Sequence, residues 1–225
     1  MGANPAASRR KAFLALALRR ARPGSGSARS FLLARTWQEL PVALDVRRLA
    51  TPCVIVGGVA TALYMPRRLT LDLDLLVAAP DAPTLQRELR ALGWAREGTS
   101  SVGGTTWRAP DGSKVGVLES TEPWARDAVT NPNRSPAGEP VIALPYLVLL
   151  KLAASRAQDL ADISRMLGTA DDSALDAVRR AVGTYRPEES ADLESLIALG
   201  QLELAEGGAA PGDEGDERPK RESDS

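Results

Sequence analysis

The run RLTLDLDLLV, residues 68–77, sets two carboxylates, Asp72 and Asp74, between leucines. In an extended chain, alternation sends Leu71, Leu73 and Leu75 to one face and Thr70, Asp72 and Asp74 to the other. Two ionised carboxylates side by side repel each other, so the pair needs a proton, a cationic neighbour or a divalent metal. Magnesium suits it, because that ion takes one or two carboxylates and completes its shell with waters and phosphate oxygens. Asp72 and Asp74 are therefore the candidate metal ligands and Mg2+ the candidate ion. Arg67 and Arg68 lie just upstream, where they are placed to neutralise phosphate charge.

An Asp-x-Asp pair alone also occurs in haloacid-dehalogenase phosphatases, glycosyltransferases and ordinary exposed strands, so its context must decide. Upstream, the apolar run Cys53 to Val56 reads as a short buried strand, ended by Gly57-Gly58. Val59 to Met65 then reads as a short helix closed by Pro66. A glycine pair at the end of a strand lets the chain turn sharply and presents backbone N–H groups to phosphates. In the phosphatases the first Asp ends the opening strand as nucleophile, whereas here a strand, a glycine turn and a helix come first. A dinucleotide-binding reading also fails, since GGVATA lacks the third glycine and no long βαβ unit follows.

Composition narrows the chemistry further. The chain has no histidine, which removes Ser-His, Cys-His and His-metal sites and leaves carboxylate, lysine and arginine chemistry. Its one cysteine, Cys53, sits in an apolar run and has no partner for an intrachain disulfide, as suits a core thiol in a reducing cytoplasm. A net charge of -1 and few aromatics mark neither a dedicated nucleic-acid binder nor a membrane binder. No apolar run reaches the roughly 18 residues that span a bilayer. AFLALAL is too short for that, and no small-residue cleavage site follows to make it a signal peptide.

These residues must be positioned by a fold of α+β class, a small mixed sheet with flanking helices followed by C-terminal helices. Residues 1–30 hold no acidic residue and end in a PGSGS break, and read as a basic disordered arm. The αβ core is placed at 31–143, the C-terminal helical region at 144–205 and a disordered tail at 206–225. Within the core, Phe31 to about Ala50 has helical apolar spacing interrupted by Pro41, and a second strand runs from Leu69 to about Val77. PDAPTLQRELRALG reads as an amphipathic helix, and Thr105–Ala109 with Lys114–Glu119 as a hairpin about Pro110-Asp111-Gly112. A helical pattern covers Leu144 to Leu167, and further helices are placed at Ser173 to Val182 and Glu188 to Leu204. On a helix advancing about 100° per residue, Lys151, Ser155, Gln158 and Asp162 fall within about 60° of one another. That polar stripe either faces a cleft or is a solvent-facing surface with an Arg156–Asp159 pair.

The segment VIVGGVATALYMPRRLTLDLDLLV resembles the Gly-Gly plus Asp-x-Asp signature of the DNA-polymerase-β-like nucleotidyltransferase superfamily. Its form, Gly-Gly-x-Ala and then Arg-x-Thr-x-Asp-x-Asp, is similar to AbiEii-type toxins and minimal nucleotidyltransferases of toxin–antitoxin and abortive-infection systems. LPYLVLLKLAASRAQDLADISRML resembles the helix that follows the catalytic sheet in these families, and the matching blocks cover about residues 53–167. The resemblance implies a nucleotidyltransferase fold and transfer of an NMP group from an NTP to a hydroxyl of an RNA, a protein or a small molecule. It also implies an antitoxin protein as a partner. Gly57, Gly58, Arg68, Thr70 and Lys151 would bind the nucleotide, with Asp159 and Asp162 holding the Lys151 helix or its cationic neighbours.

Active members carry a third acid on a later strand, in a segment resembling Val-Asp-Val-Leu. Here that segment is Val115 to Glu119, with Gly116 where the acid is expected. Glu119 is the replacement catalytic candidate, although three residues along a regular strand put it on the opposite face from Gly116, so it needs a bulge or a displaced register. Asp111 is a further carboxylate with a turn as its simpler explanation. The alternative to an enzyme is a catalytically degenerate nucleotide-binding or partner-binding protein on the same fold.

Overall fold

A computed structural model describes residues 5–24, 37, 40, 42–66, 72–99 and 104–205. The fold is α+β: a mixed seven-stranded sheet with flanking helices, followed by packed C-terminal helices. The strands are β1 (Cys53–Val56), β2 (Leu73–Ala78), β3 (Ala95–Thr99), β4 (Thr105–Arg108), β5 (Lys114–Ser120), β6 (Asn133–Arg134) and β7 (Pro140–Val141). Their spatial order is β3-β4-β5-β2-β1-β7-β6. β2 lies antiparallel to β1 and parallel to β5, and β1 runs parallel to β7.

The central strands are the most apolar. All four residues of β1 are buried, as a strand covered on both faces requires. In β2 the alternation places Leu73, Leu75 and Val77 on one face with Val115 and Val117 of β5, and Asp74 and Leu76 on the other. Helix α3 (Ala82–Ala91) covers the first face through Leu85 and Leu89, both wholly buried, each contributing about 1.5–3 kcal/mol. It stops at Gly93, whose φ of +85° is in the left-handed region that closes helices. The short helices α2 (Gly57–Thr61) and α4 (Ala125–Thr130) also pack on β1 and β2.

The C-terminal part holds α5 (Leu144–Ala154), α6 (Ala157–Gly168), α7 (Asp172–Tyr185) and α8 (Ser190–Leu204). α5 is apolar almost all round and mostly buried, the pattern of an internal helix. α6 crosses α8 where Gly168 meets Gly200, so closely that a side chain at either would strike backbone. One continuous set of buried residues runs from the sheet through these helices. Among the described residues no helix is long and apolar enough to cross a membrane.

Several expectations change. Pro5–Arg20, read as part of a disordered arm, forms helix α1, which packs on α8 with Leu14 and Arg10 buried. The charge that made the segment look solvated is partly consumed by buried carboxylates. The single helical pattern at 144–167 is two helices, broken at Ser155, whose φ of 49° is left-handed. β3, α4, β6 and β7 were not anticipated. Part of the helix expected at 31–50 lies outside the described residues, and its described end, 42–50, holds only a 3-10 turn at Val46–Arg48. The tail at 206–225 also lies outside them.

Candidate active site

Asp74 is the second residue of β2. Its neighbours in register are Val56 on β1 and Gly116 on β5. β1 ends at Val56 and the chain turns at once through Gly57, whose φ of +66° disfavours any other residue. A Cβ at Gly57 would lie 2.5 Å from Asp74 Oδ2, and one at Gly116 would overlap Asp74 Oδ1. The carboxylate is thus seated between two glycines that leave it the room it occupies. Asp72 lies two residues upstream and is exposed.

The electrostatics of the pair follow from this seating. Burial raises the Asp74 carboxyl above the ordinary carboxylate range, the negative charge of Asp72 raises it further, and Arg156 pulls it back. The two carboxylates are close enough to feel each other, as the alternation in the sequence implied. Among the described residues no third acid joins them to make a three-ligand metal cluster.

Glu119 does not replace the missing acid, which corrects its assignment as a catalytic candidate. It pairs in register with Val77, on the face opposite Asp74, where Gln86 of α3 donates a 2.8 Å hydrogen bond to its carboxylate. No bulge interrupts the β2–β5 register from Leu73 to Ala78, so nothing turns Glu119 over. Asp111 is a turn residue, its carboxylate accepting from Ser113 N at 2.9 Å and Ser113 Oγ at 2.7 Å.

Lys151 is only 5% exposed, with Nζ 2.8 Å from Asp162 Oδ2 and 3.2 Å from Asp159 Oδ1. The two aspartates hold the cation, as the resemblance implied, and in doing so they tie α5 to α6. Lys151 as found is committed to these carboxylates, and contact with a triphosphate would require leaving them. Gln158 completes the group with a 3.0 Å bond to Asp162 Oδ1. Burial opposes ionisation of Asp159, but hydrogen bonds from Arg156 and Lys151 more than offset it and hold the carboxyl below its usual range.

Among the described residues, the cation whose charge acts on Asp74 is Arg156. Its Nε lies 2.6 Å from Asp159 Oδ2 while the side chain stays 67% exposed, and it is near enough to Asp74 to affect its ionisation. The sequence offered Arg156 only as half of a surface pair. Its position beside Asp74 depends on the break at Ser155, which the helical pattern of 144–167 concealed. Arg67, Arg68 and Thr70 lie outside the described residues. Gly58 follows Gly57 in the first turn of α2, its carbonyl accepting from Thr61 Oγ1 at 2.6 Å.

A cavity of about 820 Å³ opens elsewhere, lined by Val42, Leu44, Asp45, Arg47, Asp111 and Glu139 among others. Neither Asp72, Asp74, Gly57 nor Arg156 lines it. Cys53 is buried in β1, and burial with the charge of Glu88 pushes its thiol up to about 12, which makes it inert.

No protein-family model matches the chain, and no curated protein matches it. Among solved structures, it is similar to the solution structure of the antibiotic-resistance factor ANT(2'')-Ia, with 16% identity over 67% of this chain and 82% of that one, at a TM-score of 0.36. It is similar also to the crystal structure of ANT(2'')-Ia in complex with adenylyl-2''-tobramycin, with 18% identity over 67% of this chain and 87% of that one, again at 0.36. Likeness at this level carries no argument about chemistry, which rests on the residues described above.

Proposed function

We propose that the chain is a magnesium-dependent nucleotidyltransferase that binds an NTP at Asp72 and Asp74 and passes its NMP group to a hydroxyl. The observation that carries this reading is the seating of Asp74 between Gly57 and Gly116, beside Asp72 and near Arg156. The donor set fits magnesium: two carboxylates, one of them exposed, leave positions for water and phosphate oxygens. Burial and the charge of Asp72 disfavour the ionised Asp74, and a divalent cation relieves both. When bound, the ion would neutralise triphosphate charge and draw electron density from the phosphoryl group.

The chain's own residues supply the rest. Arg156 offers a guanidinium to phosphate oxygens, and the Gly57-Gly58 turn brings backbone amides close to the carboxylates. Lys151, held by Asp159 and Asp162, fixes the helix pair that carries Arg156. In the transfer, the acceptor oxygen bonds to the α-phosphorus, the bond to the bridging oxygen of the β-phosphate breaks, and pyrophosphate leaves. With Gly116 in place of an acid, the acceptor proton goes to water, so the expected turnover is slow. The acceptor is a hydroxyl of an RNA, a protein or a small molecule. A toxin role with an antitoxin partner rests on the sequence resemblance alone.

The second reading is a nucleotide-binding protein without turnover, favoured by Gly116 and by the placement of Glu119 on the far face. The test is incubation with each labelled NTP, Mg2+ and candidate acceptors. The expected result is label transfer by the native chain and none by Asp72→Asn/Asp74→Asn. Equal transfer by the double variant sinks the assignment, and binding without transfer to any acceptor supports the second reading.

A further inference from the structure

Helix α1 does more than cover α8. Arg10, one of its buried residues, is 7% exposed and directs its guanidinium to two places. Nε donates to Asp192 Oδ2 at 2.6 Å, and Nη1 pairs with Glu189 Oε1 at 3.0 Å, which docks α1 on the start of α8. The same Nη1 donates to Ser155 Oγ at 2.7 Å and lies 3.3 Å from the Leu152 carbonyl. Those last two contacts reach the end of α5 rather than α8. They clasp the end of α5, where carbonyls have lost their helical partners.

Ser155 is the only non-glycine residue with positive φ among the described residues. A left-handed conformation is unfavourable for a residue with a Cβ and persists where its surroundings hold it. Here the hold is specific: Ser155 Oγ donates to the Leu152 carbonyl, accepts from Arg10, and its N–H donates to the Lys151 carbonyl at 2.9 Å. The next residue is Arg156, from which α6 departs. The left-handed turn therefore decides where the exposed cation beside Asp74 sits.

We infer that Arg10 is a positioning residue for the site: by clasping the left-handed Ser155 turn it sets the direction of Arg156, so that α1 forms part of the catalytic unit. This rests on the nucleotidyltransferase reading for its functional meaning, and on the hydrogen bonds alone for its structural one.

Two readouts separate the two. Magnesium–NTP affinity is measured for the native chain, Arg10→Gln, Arg10→Lys, Ser155→Ala, Arg156→Gln and Arg10→Gln/Arg156→Gln, at a temperature where each is folded by circular dichroism. Amide exchange is measured over residues 155–158 of each. Arg10→Gln and Arg156→Gln should each weaken nucleotide binding by about tenfold, and the double variant by little more than either, because both remove one positioned charge. Arg10→Gln should also speed exchange at 155–158 beyond the change at distant helices. Ser155→Ala, which leaves the ion pairs of Arg10 in place, should speed exchange there too, and it decides the matter if Arg10→Gln fails to fold. Arg10→Lys keeps charge without the planar fork and should restore stability more than affinity. Affinity within twofold of native in Arg10→Gln, losses that multiply in the double variant, or exchange that rises uniformly would overturn the inference. If the native chain binds no nucleotide, the nucleotidyltransferase reading fails, and the exchange at 155–158 alone decides whether Arg10 holds the turn.

Discussion

Burial and the charge of Asp72 raise the Asp74 carboxyl, with Arg156 acting in the opposite sense. A carboxyl raised in the folded state favours folding below its unfolded value, and that contribution is lost as pH rises through the folded value. At neutral pH the ionised Asp74 therefore costs stability. Asp74→Asn should melt higher than the native chain near pH 7 and lose that advantage as pH falls to about 3, below the unfolded value, where the native carboxyl is protonated in both states. The same variant should gain no stability from magnesium and NTP, whereas the native chain should. Thermal melts at the two pH values, with and without ligand, check both halves. Gly116 invites a different substitution, because an aspartate there would restore the expected third acid. Its Cβ would overlap Asp74 Oδ1, so Gly116→Asp should displace the carboxylate proposed to bind the metal and lower turnover about tenfold or more. Increased turnover by that variant would show that Asp74 yields easily. Glu119→Gln, across the sheet from the site, should leave turnover within about twofold of native, since its partner Gln86 belongs to the packing of α3.

The elements that place these residues were unevenly legible. β1, β2, α3 and the β4–β5 hairpin announced themselves through apolar runs, alternation and turn residues, and with them the Asp72–Asp74 pair and its glycine turn. β3 did not, because all five of its residues are exposed and it carries no alternation to read. The break between α5 and α6 was hidden because Ser155 is neither glycine nor proline, and one of the contacts that hold its turn, from Arg10, comes from far away in sequence. Lys151 read as part of a polar stripe facing either a cleft or solvent, whereas it is buried against Asp159 and Asp162 of the next helix. That trio yields a prediction of its own. Removing one partner of a buried ion pair leaves uncompensated charge, so Lys151→Met should cost about 3–5 kcal/mol in chemical denaturation. Adding Asp159→Asn and Asp162→Asn to it should return much of that loss. A Lys151→Met chain as stable as native would mean that the trio does not tie α5 to α6.

At the scale of the whole molecule, the sheet and the helices that follow it share one buried core, and the candidate site lies where they meet. Asp74 comes from β2 and Asp72 from the residue just before it, the glycines from the β1–α2 turn and from β5, and the guanidinium from the α5–α6 junction. α1, which the composition suggested was a solvated arm, docks on α8 and reaches that junction through Arg10. A site assembled from such distant segments depends on the fold as a unit, and the property proposed for it is metal-dependent capture of a nucleotide. Titration calorimetry of NTP into the native chain and into Asp72→Asn/Asp74→Asn, with Mg2+ and again with a chelator, measures that property directly. The native chain should bind only when Mg2+ is present, and the double variant in neither condition. Binding that survives the chelator, or that the double variant retains, would contradict the proposal.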